Sequence, residues 1–168
     1  MAHSASAFRR RYYHNAAQLW HDLRQIVAQR GHPDAPVSTA LRERLMLVVT
    51  SVNQCHYCAR FHAQAAQLNG LPPDEIALLL GGNLHHVPTA ELPALIYAQR
   101  WAEAGGATGE DYNQLVAVYG LAQAAAMERV LRMIWVGNLL GNSWDYLLFR
   151  LSGGRFGQHS GMRARIEP

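Results

Sequence analysis

The most informative absences in this sequence concern lysine and cysteine. All 15 basic residues of the 168-residue chain are arginines, and lysine does not occur. This absence excludes catalysis through a lysine Schiff base, a lysine-anchored pyridoxal phosphate and the lysine of a phosphate-binding loop. Only two cysteines are present, Cys55 and Cys58. They are too few for a disulfide-rich secreted scaffold, so the fold has to rest on a buried apolar core.

Three further patterns are missing. The arginines are scattered except for a triplet at 9–11, so we expect no binding of nucleic acid. The most apolar run, 133–149, is short for a membrane span and is interrupted by Asn138, Asn142 and Asp145. The N-terminal residues show no signal-peptide pattern. We therefore expect a soluble, cytoplasmic protein that does not contact a membrane.

Helix-forming residues dominate, and strand-like alternation is nearly absent. Helix start and stop signals predict segments at about 7–29, 39–52, 55–68, 73–81, 90–104, 109–120 and 121–151, of which the last is one helix or two. Gly31 and Pro33 are predicted to stop the first helix. Ser38 and Thr89 are predicted to cap the second and the fifth, and Thr108 with Asp111 resembles a capping box for the sixth.

These segments predict an all-α, compact bundle of about six or seven helices. We expect a single domain over 1–168, with an N-terminal helix and linker in 1–35. The glycine-rich tail, 152–168, is expected to be loosely ordered or to pack only on a partner chain.

The residues most suited to chemistry lie between 43 and 62. Cys55, Cys58 and His62 fall within about 60° of one another on a helix, because each residue turns the helix by about 100°. A histidine four residues after a cysteine can take the thiol proton or stabilise the thiolate. Glu43 lies on the preceding predicted helix, and a helical hairpin could bring its carboxylate to His62. A thiol pair with a local base is equipped for thiol–disulfide or thiol–peroxide chemistry.

The pattern Glu43-x11-Cys55-x2-Cys58-x3-His62 resembles the signature of the alkylhydroperoxidase D-like branch of the carboxymuconolactone decarboxylase family. The resemblance is strongest over about 38–80, which reads like the family's central helical hairpin, and extends loosely through 92–103. It implies an all-helical fold with that hairpin carrying the Cys-x-x-Cys motif. It also implies a homo-oligomer, often a trimer or a hexamer.

The resemblance further implies a peroxidase or disulfide-reductase activity without haem, flavin or metal. By carry-over, Cys58 attacks the hydroperoxide and Cys55 resolves the sulfenic acid as an intramolecular disulfide. His62 and Glu43 form the proton relay. A lipoyl-bearing protein or a thioredoxin-like system then reduces the disulfide. Well-studied members carry a histidine directly before the second cysteine. Tyr57 stands there in this chain, and we do not transfer the role to its neighbour His56.

Other interpretations remain open at the level of sequence. The two cysteines can be small buried hydrophobic residues. Together with His62 and Glu43 they can also be a zinc site in a redox-sensing or zinc-holding oligomer without turnover. A third alternative is a cysteine-independent enzyme that resembles the decarboxylases of the family. His85 and His86 are expected in a solvated loop.

Gly137 and Gly141 lie four residues apart in the apolar segment 121–151, a spacing that allows another helix to approach closely. Either part of this segment forms a subunit interface, or the segment is a central buried helix.

Overall fold

The computed structural model describes residues 8–28, 37–107 and 109–158. Over these ranges the chain forms seven helices and no strand, which confirms the predicted all-α fold. The helices are α1 (Ala16–Ala28), α2 (Thr39–Asn53), α3 (His56–Leu68), α4 (Pro73–Leu80), α5 (Leu92–Glu103), α6 (Asp111–Tyr119) and α7 (Leu121–Leu151). Among these described helices, none is both long enough and apolar enough to cross a membrane.

Helix α2 lies at the centre of the fold, where it packs against α3, α4, α5 and α7. Apolar residues occupy nearly all of its sides, a pattern typical of a buried helix. The largest fully buried side chains of the core come from four helices and include Leu45, Leu47, Leu79, Leu95, Met127 and Leu131. Each contributes about 1.5–3 kcal/mol through the burial of its apolar surface. Helix α2 is therefore a rigid base for the residues that it presents to α3.

The turn between α2 and α3 is short and well defined. The predicted Ser38 cap of α2 is confirmed, because its Oγ accepts a hydrogen bond of 3.1 Å from the Leu41 N–H. The helix ends at Gln54, whose left-handed backbone (φ 56°, ψ 37°) turns the chain while its N–H donates to the Thr50 carbonyl. Cys55 follows in an extended conformation and is the N-cap of α3. The helix thus begins one residue later than predicted.

The first helix is much shorter than predicted. It begins at Ala16 instead of about residue 7, because the Asn15 side chain caps it by accepting from the Gln18 N–H at 3.0 Å. Residues 8–15 are not helical. They lie against α7, where the rings of Tyr12 and Tyr146 stack with centroids 4.0 Å apart. The predicted stops Gly31 and Pro33 lie outside the described residues.

Two predicted caps are not those of the structure. Helix α5 has Glu91 at its N-cap and a proline in its first turn, so Thr89 does not cap it. The wrong prediction reflects the turn at 88–91, in which the Glu91 N–H donates to the Pro88 carbonyl. Helix α6 has Glu110 at its N-cap. Thr108 lies outside the described residues.

Helix α7 is a single helix of 31 residues, which settles the choice between one helix and two. It packs against α1, α2, α3, α5 and α6. The three polar residues that interrupt its apolar sequence, Asn138, Asn142 and Asp145, are fully buried. Buried polar groups require partners. Asn138 accepts a hydrogen bond of 3.2 Å from the Thr50 hydroxyl of α2, and the contacts of Asn142 and Asp145 with the α2–α3 hairpin are described below.

Candidate dithiol site

The two cysteines meet at the start of α3. Their Sγ atoms lie 2.9 Å apart, and the Cys58 N–H points to the Cys55 Sγ at 3.4 Å. Both thiols are free. Cys55 has no exposed surface, whereas Cys58 is half-buried. A small rotation of the side chains would bring the sulfurs to bonding distance, so the pair can close a disulfide within the first turn of the helix.

The two thiols differ in acidity because they share a hydrogen bond. The hydrogen bond from Cys58 lowers the pKa of Cys55, against the opposing effect of burial. The same hydrogen bond and burial raise the pKa of Cys58 far above its ordinary value. Cys58 therefore holds its proton tightly, and a thiolate of the pair is favoured on Cys55. Cys55 is the N-cap of α3, where backbone N–H groups and the helix dipole stabilise negative charge.

His62 and Glu43 form a second pair beside the thiols. The carboxylate Oε2 of Glu43, on α2, lies 2.9 Å from Nδ1 of His62, on α3. Glu43 is 7% exposed, and a buried carboxylate of this kind requires a polar partner. With Nδ1 donating to Glu43, the other ring nitrogen, Nε2, is the one that remains for proton exchange. His62 makes no direct hydrogen bond to either thiol in the described part of the chain.

The structure thus brings together the four residues singled out by the sequence as two contacting pairs, Cys55 with Cys58 and His62 with Glu43. No group of three or more His, Cys, Asp or Glu side chains in the described ranges has a geometry suited to a metal ion. His85 and His86 are exposed in the α4–α5 loop.

Two glycines of α7 face the sulfurs. A Cβ added at Gly137 would lie 4.0 Å from the Cys58 Sγ, and one added at Gly141 would lie 2.8 Å from the Cys55 Sγ. The predicted close approach at these glycines is therefore an approach of α7 to the dithiol. Sequence reasoning did not connect the glycines with the cysteines, because the contact joins residues more than 75 positions apart.

A buried carboxylate lies behind Cys55. Asp145, with no exposed surface, receives an ion pair from Arg10 at 2.7 Å and a hydrogen bond from the Tyr57 hydroxyl at 3.0 Å. His56 Nδ1 lies 3.2 Å from the same carboxylate. Burial and this carboxylate raise the pKa of Tyr57. Tyr57 is thus bound to α7 and makes no hydrogen bond to His62 among the described contacts.

Further hydrogen bonds of this region link α7, the end of α2, the N-terminal segment and the tail. Asn142 Nδ2 donates to the carbonyls of Asn53, at 2.8 Å, and of Arg11, at 2.9 Å. Arg10 donates to the carbonyl of Gly157, which is buried at the start of the tail. Sequence reasoning missed this network. Its only signal was the spacing of polar residues 138, 142 and 145 in an apolar helix, which places them on one face.

A hollow lies beside the N-terminal segment. It has a volume of about 610 Å³ and is lined by residues 11–15, 17, 18, 21 and 22 together with Gly105, Trp135 and Leu139. Neither cysteine lines it, so this hollow is not part of the dithiol site.

The fold and the site define a class: an all-α protein with a free dithiol at a helix N-terminus beside a histidine–carboxylate pair. The model of the carboxymuconolactone decarboxylase family matches residues 15–104, more than half of the chain, and the chain therefore belongs to this family. The match contains all four residues of the two pairs and begins before the stretch where the sequence resemblance was expected. Comparisons with curated proteins and with solved structures return no match.

Proposed function

We propose that this member of the family is a thiol-dependent peroxidase of the alkylhydroperoxidase D-like type, which reduces hydroperoxides through Cys55 and Cys58. The observation that carries the proposal is the placement of two free thiols, with 2.9 Å between their sulfurs, on the same hairpin as a contacting His62–Glu43 pair. A thiolate attacks a peroxide, a second thiol resolves the product, and a histidine supplies the proton.

Cys58 is the attacking residue in this proposal, since it is half-buried while Cys55 has no exposed surface. The lowered pKa of Cys55 and the raised pKa of Cys58 favour the thiolate on Cys55, so Cys58 becomes a thiolate by passing its proton to Cys55 across 2.9 Å. The Cys58 thiolate then attacks the terminal oxygen of the hydroperoxide. The O–O bond breaks, and Cys58 becomes a sulfenic acid.

The leaving alkoxide takes the Nε2 proton of the imidazolium form of His62 and departs as an alcohol, which leaves His62 as the neutral tautomer whose Nδ1–H donates to Glu43. Among the described contacts His62 makes no direct hydrogen bond to either thiol. The proton therefore passes to the departing oxygen directly or through a water molecule. Glu43 holds the imidazole in one orientation and tautomer, and solvent returns the proton to His62.

The Cys55 thiol next attacks the sulfenic sulfur of Cys58, which forms the disulfide and releases water. A dithiol donor then returns two electrons and two protons by thiol–disulfide exchange. We propose a lipoyl-type or thioredoxin-like donor, and a reducing compartment such as the cytoplasm as the site of action.

The proposal is tested by hydroperoxide consumption in the presence of dithiothreitol. We expect Cys58→Ser to lower the rate to that of the reductant alone. In a separate reaction without dithiothreitol, Cys55→Ser reduced beforehand should complete one turnover and accumulate a sulfenic acid that dimedone traps. Equal rates above background in the wild type and Cys58→Ser would refute the mechanism. Activity that survives loss of both cysteines would instead favour a cysteine-independent enzyme related to the decarboxylases.

We also propose that the protein is a homo-oligomer, a trimer or a hexamer. Five apolar side chains on one stripe of α7 are exposed: Met133, Leu140, Trp144, Leu147 and Leu151. Their spacing of three, four and seven residues is that of a helix packing against a partner. We refer to these residues as the α7 stripe.

A further inference from the structure

The face of α7 that approaches the dithiol lacks side chains at two positions one helical turn apart. A Cβ at Gly141 would lie 2.8 Å from the Cys55 Sγ and 3.3 Å from Cδ2 of Tyr57. A Cβ at Gly137 would lie 4.0 Å from the Cys58 Sγ, which is ordinary van der Waals contact. The two glycines therefore differ: residue 137 has room for a methyl group, whereas at residue 141 the sulfur of Cys55 occupies that space.

The sulfur of Cys55 has little freedom to yield. It is fully buried, and it accepts the Cys58 N–H while lying 2.9 Å from the Cys58 Sγ. A change of rotamer would give up both contacts. Such a change would also move the sulfur away from its disulfide partner.

Helix α7 is also held in place within the turn that follows Gly141. Asn142 donates to the Asn53 carbonyl at 2.8 Å, and Asp145 accepts from the Tyr57 hydroxyl at 3.0 Å. A retreat of α7 by a few tenths of an ångström would stretch these buried bonds, which lie just before and just after Cys55 in the sequence.

We propose that Gly141 is a positioning residue of the dithiol, whose missing side chain sets the place of the Cys55 sulfur and thereby the ease of disulfide closure. This inference deepens the proposed function and rests on it for its catalytic meaning. Closure removes two protons and two electrons from the thiols. In a dithiothreitol buffer, oxidised dithiothreitol accepts them and becomes the reduced dithiol.

The first test compares Gly141→Ala with the matched control Gly137→Ala in buffers of oxidised and reduced dithiothreitol. The ratio of disulfide to dithiol is measured by alkylation of the free thiols. We expect Gly141→Ala to lower the equilibrium constant for closure by at least about tenfold, since both sulfurs must be aligned. Gly137→Ala should stay within about twofold of the wild type. A folded Gly141→Ala protein within twofold of the wild type would overturn the inference.

A second test covers the case in which Gly141→Ala folds poorly. Alanine is a better helix former than glycine, so a loss of thermal stability would have to come from the clash. We expect Gly141→Ala to lower the melting temperature by several degrees in the wild-type background. In the Cys55→Ala background, which lacks the sulfur, Gly141→Ala should lower the melting temperature little or not at all. An equal loss in both backgrounds would show that the sulfur is not the obstacle.

Neither measurement uses a hydroperoxide. If both glycine results are as expected but peroxide is not consumed, the positioning role stands and the proposed peroxidase is wrong. If peroxide is consumed and disulfide closure is indifferent to Gly141→Ala, the proposed function stands and this inference falls.

Discussion

At the scale of single residues, the site depends on how its buried polar side chains are paired. Glu43 is 7% exposed and contacts His62, so the carboxylate has a partner and the imidazole has a fixed orientation. Cys55, which is fully buried, obtains its partners from Cys58. These contacts were foreseeable in part, because helical spacing and a hairpin bring positions 43, 55, 58 and 62 together. The Tyr57 hydroxyl donates to Asp145, a partner that no local pattern reveals.

A prediction at this scale concerns the proton relay. We expect His62→Gln to slow hydroperoxide consumption by about 10²-fold, because general acid catalysis typically contributes 10²- to 10⁴-fold. The circular dichroism spectrum should stay unchanged. His86→Gln, in an exposed loop, is the matched control and should leave the rate intact. A rate for His62→Gln that equals the control would remove His62 from the mechanism.

At the scale of helices, predictions were best where local signals act alone. Ser38 as a cap and the end of α3 at residue 68 follow from residues within one or two turns, and both match the structure. The predicted start of α1 was wrong because the Asn15 cap was not recognised and because distant contacts hold the residues before it. Residues 8–13 have a helix-like sequence, but the ion pair of Arg10 with Asp145 and the ring contacts of Phe8 and Tyr12 hold them against α7. The sequence near residues 8–13 does not indicate these contacts with α7.

The Arg10–Asp145 pair gives the prediction at this scale. The side chains are 8% and 0% exposed, so Asp145→Asn leaves a buried guanidinium without its counter-charge. We expect a loss of about 3–5 kcal/mol in the free energy of unfolding, measured by urea titration. Arg10→Met combined with Asp145→Asn should recover part of the lost free energy of unfolding.

The exposed pair of Arg100 with Asp111 supplies the control for this experiment. Its side chains are 62% and 40% exposed. Asp111→Asn should change the free energy of unfolding by less than about 1 kcal/mol, since exposed pairs contribute little. A loss for Asp145→Asn no larger than this would show that the pair does not hold the N-terminal segment to α7.

At the scale of the whole molecule, α7 packs one of its faces against the fold and exposes another to solvent. The inner face of α7 carries Gly141 and the buried polar residues, and the outer face carries the α7 stripe. Gly137 falls between Met133 and Leu140 of that stripe by helical spacing, where it borders Cys58. The α7 segment was predicted either to form a subunit interface or to be a central buried helix. The structure shows its inner face buried against the fold, while association through the stripe stays a prediction, as does the single domain over 1–168.

We expect Trp144→Glu, in the middle of the α7 stripe, to reduce the size of the particle in analytical ultracentrifugation, because a charge would be buried in the contact. Trp20→Glu is the matched control. Trp20 is 57% exposed, close to the 54% of Trp144, but lies on α1. Particles of equal size in both variants and the wild type would place the subunit contact elsewhere or show a monomer.

The unequal burial of the two cysteines has a consequence for the order in which sulfurs exchange. Once the disulfide has formed, a thiol arriving from solvent reaches the sulfur of Cys58, and the sulfur of Cys55 departs as the leaving group. A thiol of lowered pKa leaves faster, and the pKa of Cys55 is lowered. In the proposed cycle, the mixed disulfide with the electron donor therefore forms on Cys58. Two chemically identical residues thus acquire a fixed direction of exchange from their positions at the start of one helix.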